Sequence, residues 1–261
     1  MDLKATVSAI GLYAYGQSRP DSRVYNEYYS FIVEKLQSLD LQPTYISVEG
    51  QRYTGKYFKH EGSTHKRLVK SGFSGINSLS ILVNPTESDS PSYDGFFIAS
   101  LVYSDWLEEV LCYVVSNTAL FELGTPEFDK LLHECLKLFS WDFGFAFTDK
   151  AKSQPDKHIL GIDNGHLSPD EETLFITWYN ATPEERLSHL RDVYSYNILS
   201  KTQIEVRLSS RGSLRRFIEQ QPGSSLEEFP DCNMFAWRVE DNAIEATRSK
   251  LRSMSLLLCG N

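Results

Sequence analysis

The sequence predicts an α+β fold, an antiparallel sheet with packed helices and a more helical C-terminal half. Three observations carry that reading. Between residues 78 and 115, runs of β-branched and aromatic residues follow one another without an intervening helix pattern, as in an antiparallel meander rather than βαβ units. Helix caps followed by a 3.6-residue apolar period recur at Thr125, Ser168 and Thr182. Helices and strands then alternate in mixed order. With 261 residues, 41% apolar and 13% aromatic, the chain can bury a sizeable core and is not disordered as a whole.

In chain order, Asn26 to Leu39 reads as a helix with Tyr28, Phe31, Ile32, Leu36 and Leu39 inward. Strands are expected at Thr44–Val48, Ser78–Val83, Phe96–Tyr103 and Glu109–Val115. The turn formers from Asn84 to Asp94 read as an exposed loop. Thr125-Pro126-Glu127 supplies a cap, a first-turn proline and an acid. Behind it Phe128, Leu131, Leu132, Cys135, Leu136 and Phe139 share one helix face. Phe143–Phe147 follows as a strand, in which Trp141, Phe143, Phe145 and Phe147 fall on one face and Gly144 and Ala146 on the other, where a backbone could approach closely. Capping boxes at Ser168 and Thr182 open two abutting helices, Met234–Val239 is a last strand, and Asp241 to Met254 a last helix. A weak boundary near Ala151–Gln154 divides a sheet region, 1–154, from a mostly helical subdomain, 155–261, unless the whole of 1–261 is one domain.

The apolar run near Met1 is broken by Ser8 and Gly11 and makes a poor export signal, and no run of about eighteen apolar residues exists to span a membrane. Cys112, Cys135, Cys232 and Cys259 are scattered without a CxxC pair and read as reduced. The expected location is the cytoplasm.

Charge is the most lopsided property. Residues 86–150 hold twelve acids (Glu87, Asp89, Asp94, Asp105, Glu108, Glu109, Glu122, Glu127, Asp129, Glu134, Asp142, Asp149) against three lysines, which accounts for the whole net charge of −9. Such a field attracts cationic partners and repels nucleic acid, although a merely solubilising face would look the same.

Chemistry-bearing motifs are sparse. His158, Asp163 and His166 could serve a metal-dependent hydrolase, but Asp163-Asn164-Gly165 is above all a turn. His60 and His65 are weaker candidates. No nucleophile elbow or phosphate loop occurs, and Gly72-Phe73-Ser74-Gly75 is only the skeleton of a GxxG clamp. Glu108 and Glu109, adjacent on a strand, should point to opposite faces. Arg52, Lys56, Lys59, Lys66, Arg67 and Lys70, interleaved with Tyr53, Tyr57 and Phe58, make a basic stretch that could bind nucleic acid or form an ordinary helix face. No catalytic, cofactor or metal residue is assigned.

The Trp141-Asp-Phe-Gly-Phe run, Trp178, and the pairs Glu185-Arg186 and Arg191-Asp192 resemble bacterial immunity proteins of polymorphic-toxin and type VI secretion systems, most nearly immunity protein family 52. The resemblance spans roughly residues 40–240. It implies an α+β protein without catalysis that binds and neutralises a cognate nuclease toxin of the restriction-endonuclease-like class. An acidic surface would suit the basic substrate groove of such a toxin. The expected partner surface is Glu87, Asp89, Tyr93 and Asp94 in the loop, with Tyr103, Asp105, Trp106, Glu108 and Glu109 beside it. Inhibition through the helices at 168–194, a homodimer, the hydrolase and the nucleic-acid module remain open alternatives.

Overall fold

The computed structural model describes residues 5–84, 96–162, 169–208, 212–229 and 231–258. Its frame is one ten-stranded antiparallel sheet in the order β3-β2-β4-β5-β6-β1-β7-β8-β10-β9. The strands are β1 (Thr6–Tyr15), β2 (Tyr45–Gly50), β3 (Tyr53–Lys59), β4 (Ile76–Val83), β5 (Phe97–Ser104), β6 (Glu109–Asn117), β7 (Phe143–Lys150), β8 (Tyr196–Ser200), β9 (Ser224–Phe229) and β10 (Met234–Val239). The helices are α1 (Ser22–Gln37), α2 (Ser63–Lys70), α3 (Pro126–Lys137), α4 (Pro155–Leu160), α5 (Pro169–Asn180), α6 (Pro183–Ser188), α7 (Lys201–Ile204), α8 (Leu214–Glu219) and α9 (Asp241–Arg252). The α+β class and the β4–β5–β6 meander are as the sequence predicts.

Helices cover the sheet on both faces. Leu36 of α1, Leu68 of α2 and Leu132 of α3 pack with Ile10, Leu12 and Ala14 of β1. Ile159 of α4, Trp178 of α5, Ile218 of α8 and Leu251 of α9 pack with Val7, Ala9, Tyr13 and Tyr15 of the same strand. β1 alternates between two cores and is buried on both sides, so its apolar run serves as a central strand.

The expected elements appear with shifted ends. α1 starts four residues early because Asp21 caps it, accepting from the Arg23 and Val24 amides. Thr125 caps α3, and Thr182 forms the expected capping box with Glu185. Ser168 lies outside the described residues. Unanticipated are β1, β8, β9, the short helices α4, α7 and α8, and β3. The basic stretch is therefore not one helix face: it is the edge strand β3 followed by α2, and exposed Lys56 and Lys59 on that edge oppose pairing with another sheet. The C-terminal half is richer in helix, yet β8, β10 and β9 extend the same sheet across the boundary at 154.

Phe143 and Phe145 join Tyr13 and Trp178 in one core, as the alternation requires. Trp141 does not join them. It precedes the strand, turns to the α3 side, and donates from its indole to the Cys135 carbonyl at 3.0 Å. Gly144 faces the neighbouring strand so closely that a Cβ there would sit 2.6 Å from Leu12 Cδ2 and 2.8 Å from the Gly11 carbonyl oxygen. Gly144→Ala should therefore lower unfolding stability by about 1–3 kcal/mol in urea titrations, the cost of overpacking a closed core.

Candidate functional site

The turn between β5 and β6, residues 105–108, projects from one end of the sheet. Glu108 takes a left-handed backbone (φ 48°), and its carbonyl accepts from the Gln17 amide at 2.9 Å, which ties the turn to the segment after β1. The Asn77 side-chain Nδ2 donates to Asp105 Oδ2 at 3.3 Å. At the tip Trp106 is 67% exposed. Its ring tilts against Tyr179 of α5, itself 41% exposed, with centroids 5.1 Å apart. Ile176, one helical turn before Tyr179, is 54% exposed. Glu184 and Glu185 are exposed on the following helix, where the Glu185 carboxylate accepts from the Thr182 amide and hydroxyl. An indole left this open on a folded chain is unusual, because aromatic rings gain most from burial.

Other expected surface residues are placed differently. Glu109 is not on the surface: the start of β6 turns it inward, where it is 7% exposed and faces Arg186. Tyr103 is half-buried against the α1-side core and does not join Trp106. Glu87, Asp89, Tyr93 and Asp94 lie outside the described residues. The acidic stretch as a whole is not one face. Asp129 accepts from Tyr196 and Arg238, Asp142 from the Tyr15 amide, and Asp149 from the Lys150 amide, so each serves the fold.

Arg186 lies directly beneath the exposed corner and is 3% exposed. Its Nη1 donates to Glu109 Oε2 at 2.7 Å, Nε to the Trp178 carbonyl at 3.0 Å and Nη2 to the Tyr179 carbonyl at 2.9 Å. The guanidinium thus binds a sheet carboxylate and the last carbonyls of α5 together, where a cation also complements the helix dipole. It sits over the rings of Tyr15 and Trp178, with its central carbon 5.4 and 5.7 Å from their centroids. Burial pushes the Glu109 carboxyl up, to about 7, and the charges of Arg186 and Arg191 keep it from rising further.

A second buried cation ties α4 to the sheet. Arg191 donates to Tyr13 Oη at 2.9 Å, to the Ile159 carbonyl at 3.1 Å and to the His158 carbonyl at 2.5 Å. Neither arginine of the sequence pairs Glu185-Arg186 and Arg191-Asp192 bonds its neighbour: Asp192 is held by Arg248 at 2.7 and 2.9 Å. His158, the described member of the hydrolase triad, is half-buried against this core. Its ring packs among Phe145, Phe147 and Tyr194 and meets the Tyr194 hydroxyl at 3.1 Å. Burial, with Arg191 nearby, pushes its pKa down to about 3, so the ring is neutral. Asp163 and His166 lie outside the described residues.

His60 and His65 both turn Nε2 to Tyr29 Oη at 2.9 Å. The Glu61 amide donates to His65 Nδ1 at 2.9 Å, which places the His65 proton on Nε2 and makes that nitrogen a donor rather than a metal ligand. Among the described residues, no group of three or more His, Cys, Asp or Glu side chains is arranged to hold a metal ion. Cys112 and Cys135 are buried free thiols and Cys232 is half-buried. No described helix is long and apolar enough to cross a membrane. At the far end of the sheet an open groove of about 910 Å³ is lined by Glu122, Phe147, Tyr194 and Glu240. The arginines of that groove are already engaged, Arg238 by Asp129 and Glu227, and Arg248 by Asp192 and Glu245.

No family model and no curated protein sequence matches the chain. Among solved structures the fold is similar to the Pseudomonas aeruginosa T6SS protein PA0821, with a TM-score of 0.54 at 12% sequence identity. That similarity covers 89% of this chain and 65% of the other, so this chain spans under two thirds of its neighbour's length. At that identity the likeness is one of fold.

Two outcomes follow from the buried network. Glu109→Leu and Arg186→Met should each destabilise by about 3–5 kcal/mol, since each strands a buried group, whereas the double variant should be more stable than either single in the same denaturation series. The depressed His158 pKa gives stability that is present above pH 6.5 and lost as the pH falls through 6.5 toward 3, because only the unfolded chain takes the proton. Wild type should lose about 1.4 kcal/mol per pH unit below that point relative to His158→Gln, measured by urea unfolding at pH 7 and pH 5.

Proposed function

We propose that this chain is an immunity protein of a type VI secretion setting, which binds and neutralises a cognate nuclease toxin in the cytoplasm through a stoichiometric complex. The observation that carries the reading is the exposed Trp106–Tyr179 pair with Asp105 and Glu108 at its rim. Binding energy concentrates in large rings at the centre of an interface, and a charged rim adds steering and choice of partner. A DNA-cleaving enzyme must present cations to phosphate, so an acidic corner fits the surface that its substrate would occupy. The fold likeness to PA0821 supplies the secretion-system context.

The corner also joins two surfaces that the sequence treats as alternatives. Trp106 comes from the acidic stretch and Tyr179 from the helices at 168–194. A partner on this corner meets both, so active-site occlusion and contact through the C-terminal helices become one geometry. The packing of His158 against Phe145, Phe147 and Tyr194 favours the immunity reading over the hydrolase one.

The test uses the toxin encoded beside the chain, with its nuclease activity as readout. Asp105→Lys with Glu108→Lys should slow association about tenfold or more at low salt, with the difference shrinking as salt rises. Trp106→Ala should speed dissociation and cost about 2 kcal/mol of affinity. Binding and inhibition like wild type in all three substitutions would remove this corner from the interface.

A further inference from the structure

The basic stretch builds a second site at the β3 edge of the sheet, at the same strand end as the corner, and the toxin-binding reading does not use it. The β2–β3 turn and the loop after α2 meet there. The Gln51 amide donates to the Gly75 carbonyl at 3.0 Å. Gly50 permits that approach, because a Cβ on it would lie 2.4 Å from the Gly75 oxygen. The loop reverses through left-handed Gly72, Phe73 and Gly75, with Phe73 buried as its anchor. These constraints hold the two segments in a fixed relation before any ligand arrives.

Between them is a cavity of about 280 Å³ lined by Arg52, Tyr53, Arg67, Ser71, Ser74 and the Gln51 amide side chain. Every side chain in that lining can donate a hydrogen bond, and none is a carboxylate. Arg67 rests over the Tyr53 ring, with its guanidinium carbon 5.7 Å from the ring centre, which restricts the arginine without neutralising it. No described carboxylate lies within ion-pair distance of Arg52 or Arg67. Both arginines line the same cavity, so two positive charges fall together there without a described acid partner.

We infer that this pocket binds a phosphate monoester group. Two guanidinium forks suit the oxygens of a tetrahedral dianion, and Ser74 and the glutamine amide add neutral donors, whereas the Ser71 hydroxyl already donates to the Leu68 carbonyl at 2.7 Å. The volume holds a phosphoryl group with a small appendage, and Tyr53 offers a ring edge to whatever carries it. The site is built from both segments of the basic stretch and from the Gly72–Gly75 loop, which explains why the two motifs belong together.

The test is a titration of the full chain at low ionic strength, followed by amide NMR shifts, with inorganic phosphate in one series and adenosine monophosphate in another. Saturable shifts confined to residues 51–53 and 71–75 are expected. Affinity should fall about tenfold or more in Arg52→Gln/Arg67→Gln, whose exposed positions leave the fold intact by circular dichroism, and should be kept in Lys56→Gln/Lys59→Gln. Equal affinity for the two anions assigns the phosphate alone, and tighter adenosine monophosphate assigns a nucleoside packed against the Tyr53 ring edge. Shifts that grow without saturation, binding that survives the arginine substitutions, or an equal loss in the lysine variant would overturn the site.

Discussion

The Arg186–Glu109 contact is the constraint on which the arrangement of the helical half depends. A guanidinium that is 3% exposed, 2.7 Å from a carboxylate, is not there for net stability alone, because desolvating two charges costs several kcal/mol before their attraction returns it. Geometry is the larger gain. The same guanidinium holds the Trp178 and Tyr179 carbonyls, so one residue fixes the end of α5 to the first residue of β6. Apolar packing is non-directional and would leave α5 free to slide on the sheet. Three directed hydrogen bonds remove that freedom.

What this fixation delivers at the surface is the meeting of Trp106 and Tyr179. The turn that carries Trp106 leads directly into Glu109, and Tyr179 is bonded through its carbonyl to the residue that Glu109 holds. The exposed corner is therefore the outer layer of a buried polar lock. A rigid aromatic platform loses little conformational entropy when a partner arrives, which is the property that lets a small patch carry affinity. The ten-stranded sheet beneath plays the same part on a larger scale. It separates the corner, at the Tyr15 end of β1, from the open groove at the Thr6 end, while the basic pocket lies at the corner's end on the β3 edge.

Much of the frame was legible because local signals and tertiary need agreed. The α3 face, the Thr125 and Thr182 caps and the β4–β5–β6 meander all followed from periodicity and capping chemistry. β1 was missed because Val7 to Tyr15 is apolar on both faces, so it shows none of the alternation that marks a half-buried strand. β3 and β9, at the sheet edges, carry polar faces whose pairing only the fold determines. In the candidate site, Asp105, Trp106 and Glu108 were legible from charge and ring content. Their partner Tyr179 is seventy-three residues away and no spacing rule could have placed it. Glu109 was misplaced on the surface although the alternation of adjacent acids already separated it from Glu108. Its role needed knowledge of Arg186, which in sequence looked like the partner of Glu185.

The central claim is that the Trp106–Tyr179 corner is where the partner sits. Site-specific photo-crosslinking tests it most directly, with benzoylphenylalanine at position 106 and, as a control, at Tyr57 on the edge strand β3. The account predicts one covalent adduct from position 106, to a nuclease-bearing chain whose activity is lost in the complex, and none from position 57. An adduct from position 57 alone, or from neither position while the toxin is still inhibited, would contradict it.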